Sequence, residues 1–152
     1  MIAMLFRSRI VTVCLFVAVF SMLLFAQRLQ AQTLLVWGDS LSAAYNIPVE
    51  RGWVPLLESK LKADVDPGWV VRNGSISGET SGGGLARLPD ALAQGPVDVF
   101  VLALGSNDGL RGLSLKVLKR NLDAMLDLAV AQGAKVLVLG NRIPPNYGVV
   151  YA

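Results

Sequence analysis

Four short apolar runs, each closed by glycine or a glycine-bearing polar loop, alternate with stretches of helical period. No other feature limits the possible folds of this chain as much. Residues 33–37 (TLLVW) form a continuous apolar run stopped by Gly38-Asp39, the pattern of a strand buried on both faces. Residues 52–62 place Val54, Leu57 and Leu61 at helical spacing, and 69–71 read as a short second strand. Residues 73–84 (NGSISGETSGGG) read as a loop. A helix is predicted over 85–93, with Leu85, Leu88 and Leu92 on one face, and a third strand over 97–104 (VDVFVLAL). Residues 105–112 (GSNDGLRG) read as another loop. The longest helix spans 114–131, with Leu115, Leu118, Leu122, Met125 and Leu126 as its apolar stripe, Ser114 as N-cap and Gly133 as its stop. Residues 135–139 (KVLVL) give a fourth strand, and Pro144-Pro145 then blocks regular structure.

The order β-α-β-α-β-α-β predicts parallel strands with helical crossovers, hence a doubly wound α/β sandwich. No repeat, low-complexity tract or interdomain linker interrupts it, and 152 residues suit one domain. In such sheets the functional site lies at the carboxyl ends of the strands, beside a switch in strand order. Three polar, glycine-rich loops converge on that edge: Gly38-Asp39-Ser40, the stretch 74–84, and Gly105-Ser106-Asn107-Asp108.

Composition removes several functions. The chain has no histidine, so it carries no His-based triad, His metal site or His pH switch. One cysteine excludes an internal disulfide and a Cys-rich zinc site. Three of the 14 Lys and Arg residues (Arg7, Arg9 and Arg28) and none of the 11 Asp and Glu residues fall within the first 31 positions. The rest is formally neutral, so the net +3 gives no argument for nucleic-acid binding.

Residues 1–31 read as an address. Arg7 and Arg9 precede an apolar run over 10–26, followed by a polar stretch with small residues, the pattern of a secretory signal peptide. The alternative is an uncleaved anchor, because the run reaches the lower end of a membrane-spanning length. Val13, in the small-residue position before Cys14, argues against a lipoprotein. The expectation is a secreted or periplasmic domain over 32–152, with no stable membrane association once the leader is cleaved.

A serine just past a buried strand, at a turn that Gly38 allows, is well placed to be a nucleophile. If Ser40 opens a short helix, nearby backbone N–H groups favour a developing oxyanion. Gly78 offers a backbone N–H without a blocking side chain, and Asn107 a side-chain amide. Each signal alone is also an ordinary turn: Gly-Asp-Ser after a strand, Asn107-Asp108-Gly109 in a loop, Asp39 as a local cap. Other motifs fail. Ile76 stands where a Gly-x-Ser-x-Gly elbow needs serine. Gly84 stands where a phosphate loop needs lysine, and Arg87 stands where a dinucleotide fingerprint needs its last glycine. The phosphate mismatches disfavour a nucleotide-binding fold.

Taken together, Gly38-Asp-Ser-Leu-Ser42, Asn73-Gly-Ser-Ile-Ser-Gly-Glu-Thr80, Gly105-Ser-Asn-Asp-Gly-Leu-Arg-Gly112 and the Pro-Asn-Tyr-Gly segment at 145–148 resemble the SGNH (GDSL) hydrolases. Within them the likeness is to the secreted arylesterase, acyl-CoA thioesterase I and lysophospholipase group. The resemblance runs from about Thr33 onward. It implies a flavodoxin-like three-layer α/β/α sandwich and no metal or organic cofactor. It also implies a two-step acyl transfer on small ester, thioester or lysophospholipid substrates. It makes Ser40 the nucleophile, with its own N–H, Gly78 and Asn107 as oxyanion-hole donors. It places Asp108, Gly109 and Leu110 in a loop over the acyl site, and Ile143 and Pro144 at the acyl-chain groove. Three positions depart from the pattern: Ser106 for a glycine, Glu79 for an aspartate, and Ala44 where glycine is common.

The same resemblance implies a general base from a late Asp-x-x-His block after a further strand. The sequence stops before such a block, and no histidine replaces it. The expectation is therefore a C-terminally truncated hydrolase domain without its last strand and helix, inactive alone. The alternative is a non-catalytic acyl- or glycan-binding remnant of the same fold.

Overall fold

The computed structural model describes residues 31–142. The expected leader up to residue 30, and the expected groove residues Ile143 and Pro144, lie outside the described residues. The elements are β1 (Thr33–Gly38), α1 (Trp53–Asp64) after a 3-10 turn at Val49–Arg51, β2 (Val70–Asn73) and α2 (Ser81–Ala93). They continue with β3 (Val99–Ala103), α3 (Ser106–Leu110), α4 (Leu115–Ala131) and β4 (Lys135–Val138). The strands form one four-stranded sheet in the order β2-β1-β3-β4, with every neighbouring pair parallel. The α/β class expected from the alternation is therefore the observed one.

Side-chain alternation along β1 and β3 builds a core on each face of the sheet. Leu35, Trp37, Phe100 and Leu102 pack with Leu88 and Leu92 of α2 and Met125 and Ala129 of α4. Leu34, Val36 and Val101 pack on the other side with Val54, and Leu57 and Leu61 of α1 join them. Helices thus lie on both faces, giving three layers. Trp37, Phe100, Leu88, Leu102 and Met125 are fully buried, each contributing about 1.5–3 kcal/mol of transfer free energy. β1 is buried through its last five residues, as its unbroken apolar run predicts. β4 stands at the sheet edge among the described residues, with Val136, Leu137 and Val138 exposed.

Two elements differ from the sequence expectation. α2 starts at Ser81 rather than 85, drawing a glycine triplet into its first turn. The Thr80 hydroxyl caps it by accepting from the Gly83 amide at 3.3 Å. Gly84 must be small for packing reasons. A Cβ there would lie 2.5 Å from a Leu104 methyl, while the Gly84 carbonyl accepts the Trp37 indole N–H at 3.1 Å. The 105–112 loop holds the short helix α3, which Gly105 enters at φ +124°.

The strand order fixes where a site belongs. From β1 the chain moves outward to β2, and from β3 it moves outward the other way to β4. The crevice between the carboxyl ends of β1 and β3 is the topological switch point.

Candidate active site

Ser40 follows β1 and Asn107 follows β3, so the switch point lies between them. The turn at Ser40 is built from Asp39. Its carbonyl accepts from the amides of Ser42 and Ala43 at 3.1 and 2.9 Å, and its buried carboxylate accepts the Leu41 amide at 3.0 Å. The other carboxylate oxygen accepts from Nδ2 of Asn107 at 3.4 Å. Asp39 therefore ties the first loop to the third. Ser40 is half-buried, and among the described residues its hydroxyl makes no hydrogen bond.

The second loop is pinned against the first by backbone. The Gly74 amide donates to the Val36 carbonyl at 2.9 Å, and the Ile76 amide donates to the Gly38 carbonyl at 3.1 Å. Asn73 Nδ2 adds a bond to the Ser42 carbonyl at 2.8 Å. The approach requires glycines: a Cβ on Gly38 would sit 2.7 Å from Ser42 Oγ, and one on Gly74 would overlap the Trp37 ring. Gly78 has φ +79°, a left-handed conformation that glycine adopts without the penalty other residues incur. Among the described residues its amide has no backbone acceptor, and its carbonyl accepts from Arg111 Nη2 at 2.8 Å.

The third loop is anchored beneath by a buried polar cluster. The Asp108 carboxylate accepts from the Ser81 amide at 2.8 Å and from Ser81 Oγ at 2.5 Å. Asn121 Nδ2 donates to the same Ser81 hydroxyl at 3.0 Å. All three side chains are buried. Asp108 can meet a substrate only through its backbone, since its carboxylate is buried against Ser81 of α2. Gly109 is buried as well, and Leu110 is exposed.

The three departures from the family pattern have structural correlates. Ser106 Oγ accepts from Asn141 Nδ2 at 2.9 Å. Glu79 forms an ion pair with Arg87 at 2.7 Å. Ala44 sits at φ +56°, a left-handed position where glycine costs least.

Hydrogen bonds thus join the loop bearing Ser40 to the loops bearing Gly78 and Asn107. Asn73, Arg111, Ser81 and Asn121 were not singled out from sequence, because each acts through a partner distant along the chain. Only the polar residue types inside apolar helical stripes, such as Asn121, gave a readable signal.

A parallel three-layer α/β domain with a serine turn at its switch point defines the general class. The chain belongs to the GDSL-like lipase/acylhydrolase family, whose pattern matches residues 36–151. It is 51% identical to the esterase TesA of Pseudomonas aeruginosa over 131 residues, 86% of this chain and 65% of that protein. It is 48% identical to an arylesterase of Vibrio mimicus, covering 80% of this chain and 60% of that one. The crystal structure of the psychrotrophic esterase EstA from Pseudoalteromonas sp., inhibited by monoethylphosphonate, superposes with a TM-score of 0.73 at 45% identity. That match covers 79% of this chain and 65% of EstA. The chain spans roughly three-fifths to two-thirds of the length of these relatives.

Proposed function

We propose that this chain carries the nucleophile and oxyanion-binding part of a serine hydrolase acting on carboxylic esters or acyl thioesters. The observation that carries the reading is Asn107. Its side-chain amide is held 3.4 Å from the carboxylate of Asp39, the residue before Ser40, at the switch point of the sheet. Relatives named esterase, arylesterase and thioesterase 1/protease 1/lysophospholipase L1 support the substrate class.

In the proposed reaction Ser40 Oγ attacks the carbonyl carbon and loses its proton to a base. The carbonyl oxygen becomes an oxyanion held by the N–H of Ser40, the N–H of Gly78 and Nδ2 of Asn107. Collapse expels the alcohol or thiol, which takes up a proton, and leaves an acyl group on Ser40. Water then attacks the acyl carbon and releases the acid. Leu110 and the backbone of Asp108 and Gly109 border the acyl side of this crevice, and Ile143 and Pro144 belong to the same proposed groove. No metal or organic cofactor takes part in the proposal. Residues 1–31 are proposed to direct the domain out of the cytoplasm.

The chain contains no imidazole to take the proton. Without a base, the donors and binding alone leave about 10³–10⁴ over water. The same absence supports the second reading, an acyl- or glycan-binding remnant. Both are tested by hydrolysis of an aryl acetate by the purified chain and by S40A, each with and without added imidazole. A rate increment that needs both Ser40 and imidazole supports the hydrolase site. Saturable binding with identical rates in the two proteins supports the remnant, and neither effect refutes both.

A further inference from the structure

A cavity of about 380 Å³ opens between the edge strand β2 and helix α2. None of Ser40, Gly78 and Asn107 lines it, so a ligand site there is independent of the hydrolase proposal. Its apolar part is formed by Leu35, Trp37 and Ala91, and its charged part by Arg72, Arg87 and Asp90. The volume suits a small organic ligand.

The two arginines are in different states. Arg87 is committed: it pairs with Glu79 at 2.7 Å, donates to the Gly74 carbonyl at 3.3 Å and stacks 4.3 Å over the Trp37 ring. Arg72 belongs to none of the ion pairs among the described residues. Its Nε and Nη2 are buried without any hydrogen-bond partner among those residues. Burying charged donors unpaired is costly. These two groups form one edge of the guanidinium, the edge that a carboxylate accepts from in parallel. Among the described residues the one bond holding the guanidinium is long, Nη1 to the Ala91 carbonyl at 3.4 Å. Turning the edge into the cavity therefore breaks little.

The geometry points to a binding site for a small apolar carboxylate: an anion taken by Arg72, with its body held in the cavity between β2 and α2 beside Ala91. One uncommitted cation matches one negative charge. Asp90, in the same lining, disfavours a dianion such as phosphate.

The test is calorimetric titration of the purified chain with benzoate, its neutral counterpart benzamide, and inorganic phosphate. Saturable benzoate binding is expected, with benzamide and phosphate at least about tenfold weaker, the loss of one charge-assisted contact. R72M is expected to weaken benzoate by about tenfold or more. D90N, which removes the competing carboxylate, is expected to tighten it several-fold. The D90N arm decides alone should R72M fail to fold. Benzoate that does not bind, binds no better than benzamide or phosphate, is indifferent to R72M in a folded chain, or is not tightened by D90N overturns the site.

Discussion

Arg111 and Gly78 are joined across two loops: Nη2 of the arginine donates to the glycine carbonyl at 2.8 Å. The bond couples the residue that caps the C-terminus of α3 to the backbone of the second loop, where an oxyanion donor is proposed. Arg111 is exposed, so the bond is worth little to global stability. R111M is expected to shift the unfolding free energy by less than about 0.5 kcal/mol. Amide exchange across residues 76–80 should nonetheless rise several-fold, read by hydrogen-exchange mass spectrometry. Unchanged exchange there would show that the loop holds its shape without the arginine.

Asn107 gives the sharpest test of the proposed chemistry. Its bond to Asp39 is long, so N107A should leave folding nearly intact. The Ser40-dependent, imidazole-supported rate should fall by about 10²–10³, the usual loss for one oxyanion donor. The loss should appear in kcat rather than KM, because the donor is used in the transition state. A change confined to KM would assign Asn107 to ground-state binding instead.

The buried cluster beneath the third loop is expected to behave as one unit. D108A strips the Ser81 amide and hydroxyl of their shared acceptor, which should cost about 2–4 kcal/mol in denaturant unfolding. S81A removes only the hydroxyl and should cost less, about 1–2 kcal/mol. The double variant should fall short of the sum, because both changes break the bond between Ser81 Oγ and Asp108. Strict additivity would show that the two residues stabilise the fold separately.

What the sequence revealed and what it hid are set by the range of the interactions. β1 and β3 were legible because an unbroken apolar run has few alternatives to a doubly buried strand. The positions of Ser40 and Asn107 were legible through glycine-bearing loops at strand ends and the rule that sites lie there. The early start of α2 was hidden, because Ser81-Gly82-Gly83-Gly84 has poor helix propensity. A local cap and a tertiary contact overrode that propensity: the Thr80 hydroxyl on the Gly83 amide and the Trp37 indole on the Gly84 carbonyl. α3 was hidden because five residues carry no period. The Asp108–Ser81 pair spans 27 positions, and no local pattern shows that an aspartate in a turn signal will turn inward.

Ala44 and Gly74 offer opposite tests of how tightly the loops are fitted. Ala44 holds a left-handed backbone at φ +56°, which costs a non-glycine residue about 1–2 kcal/mol. Glycine relieves that cost but adds chain entropy to the unfolded state, about 0.5–1 kcal/mol. A44G is therefore expected to stabilise the domain by up to about 1 kcal/mol in denaturant unfolding. At Gly74 the constraint is space rather than backbone. A Cβ would overlap two carbons of the Trp37 ring, and that ring is held by Gly84 and by Arg87 above it. G74A must displace a fully buried indole or push the second loop off the first, an overpacking cost of about 1–3 kcal/mol. Because the Gly74 amide bonds to Val36, the same displacement should loosen the Ile76 amide and raise its exchange. A G74A protein with wild-type stability would mean that Trp37 repacks freely, and the tight junction between the first two loops would then not be what positions Ser40.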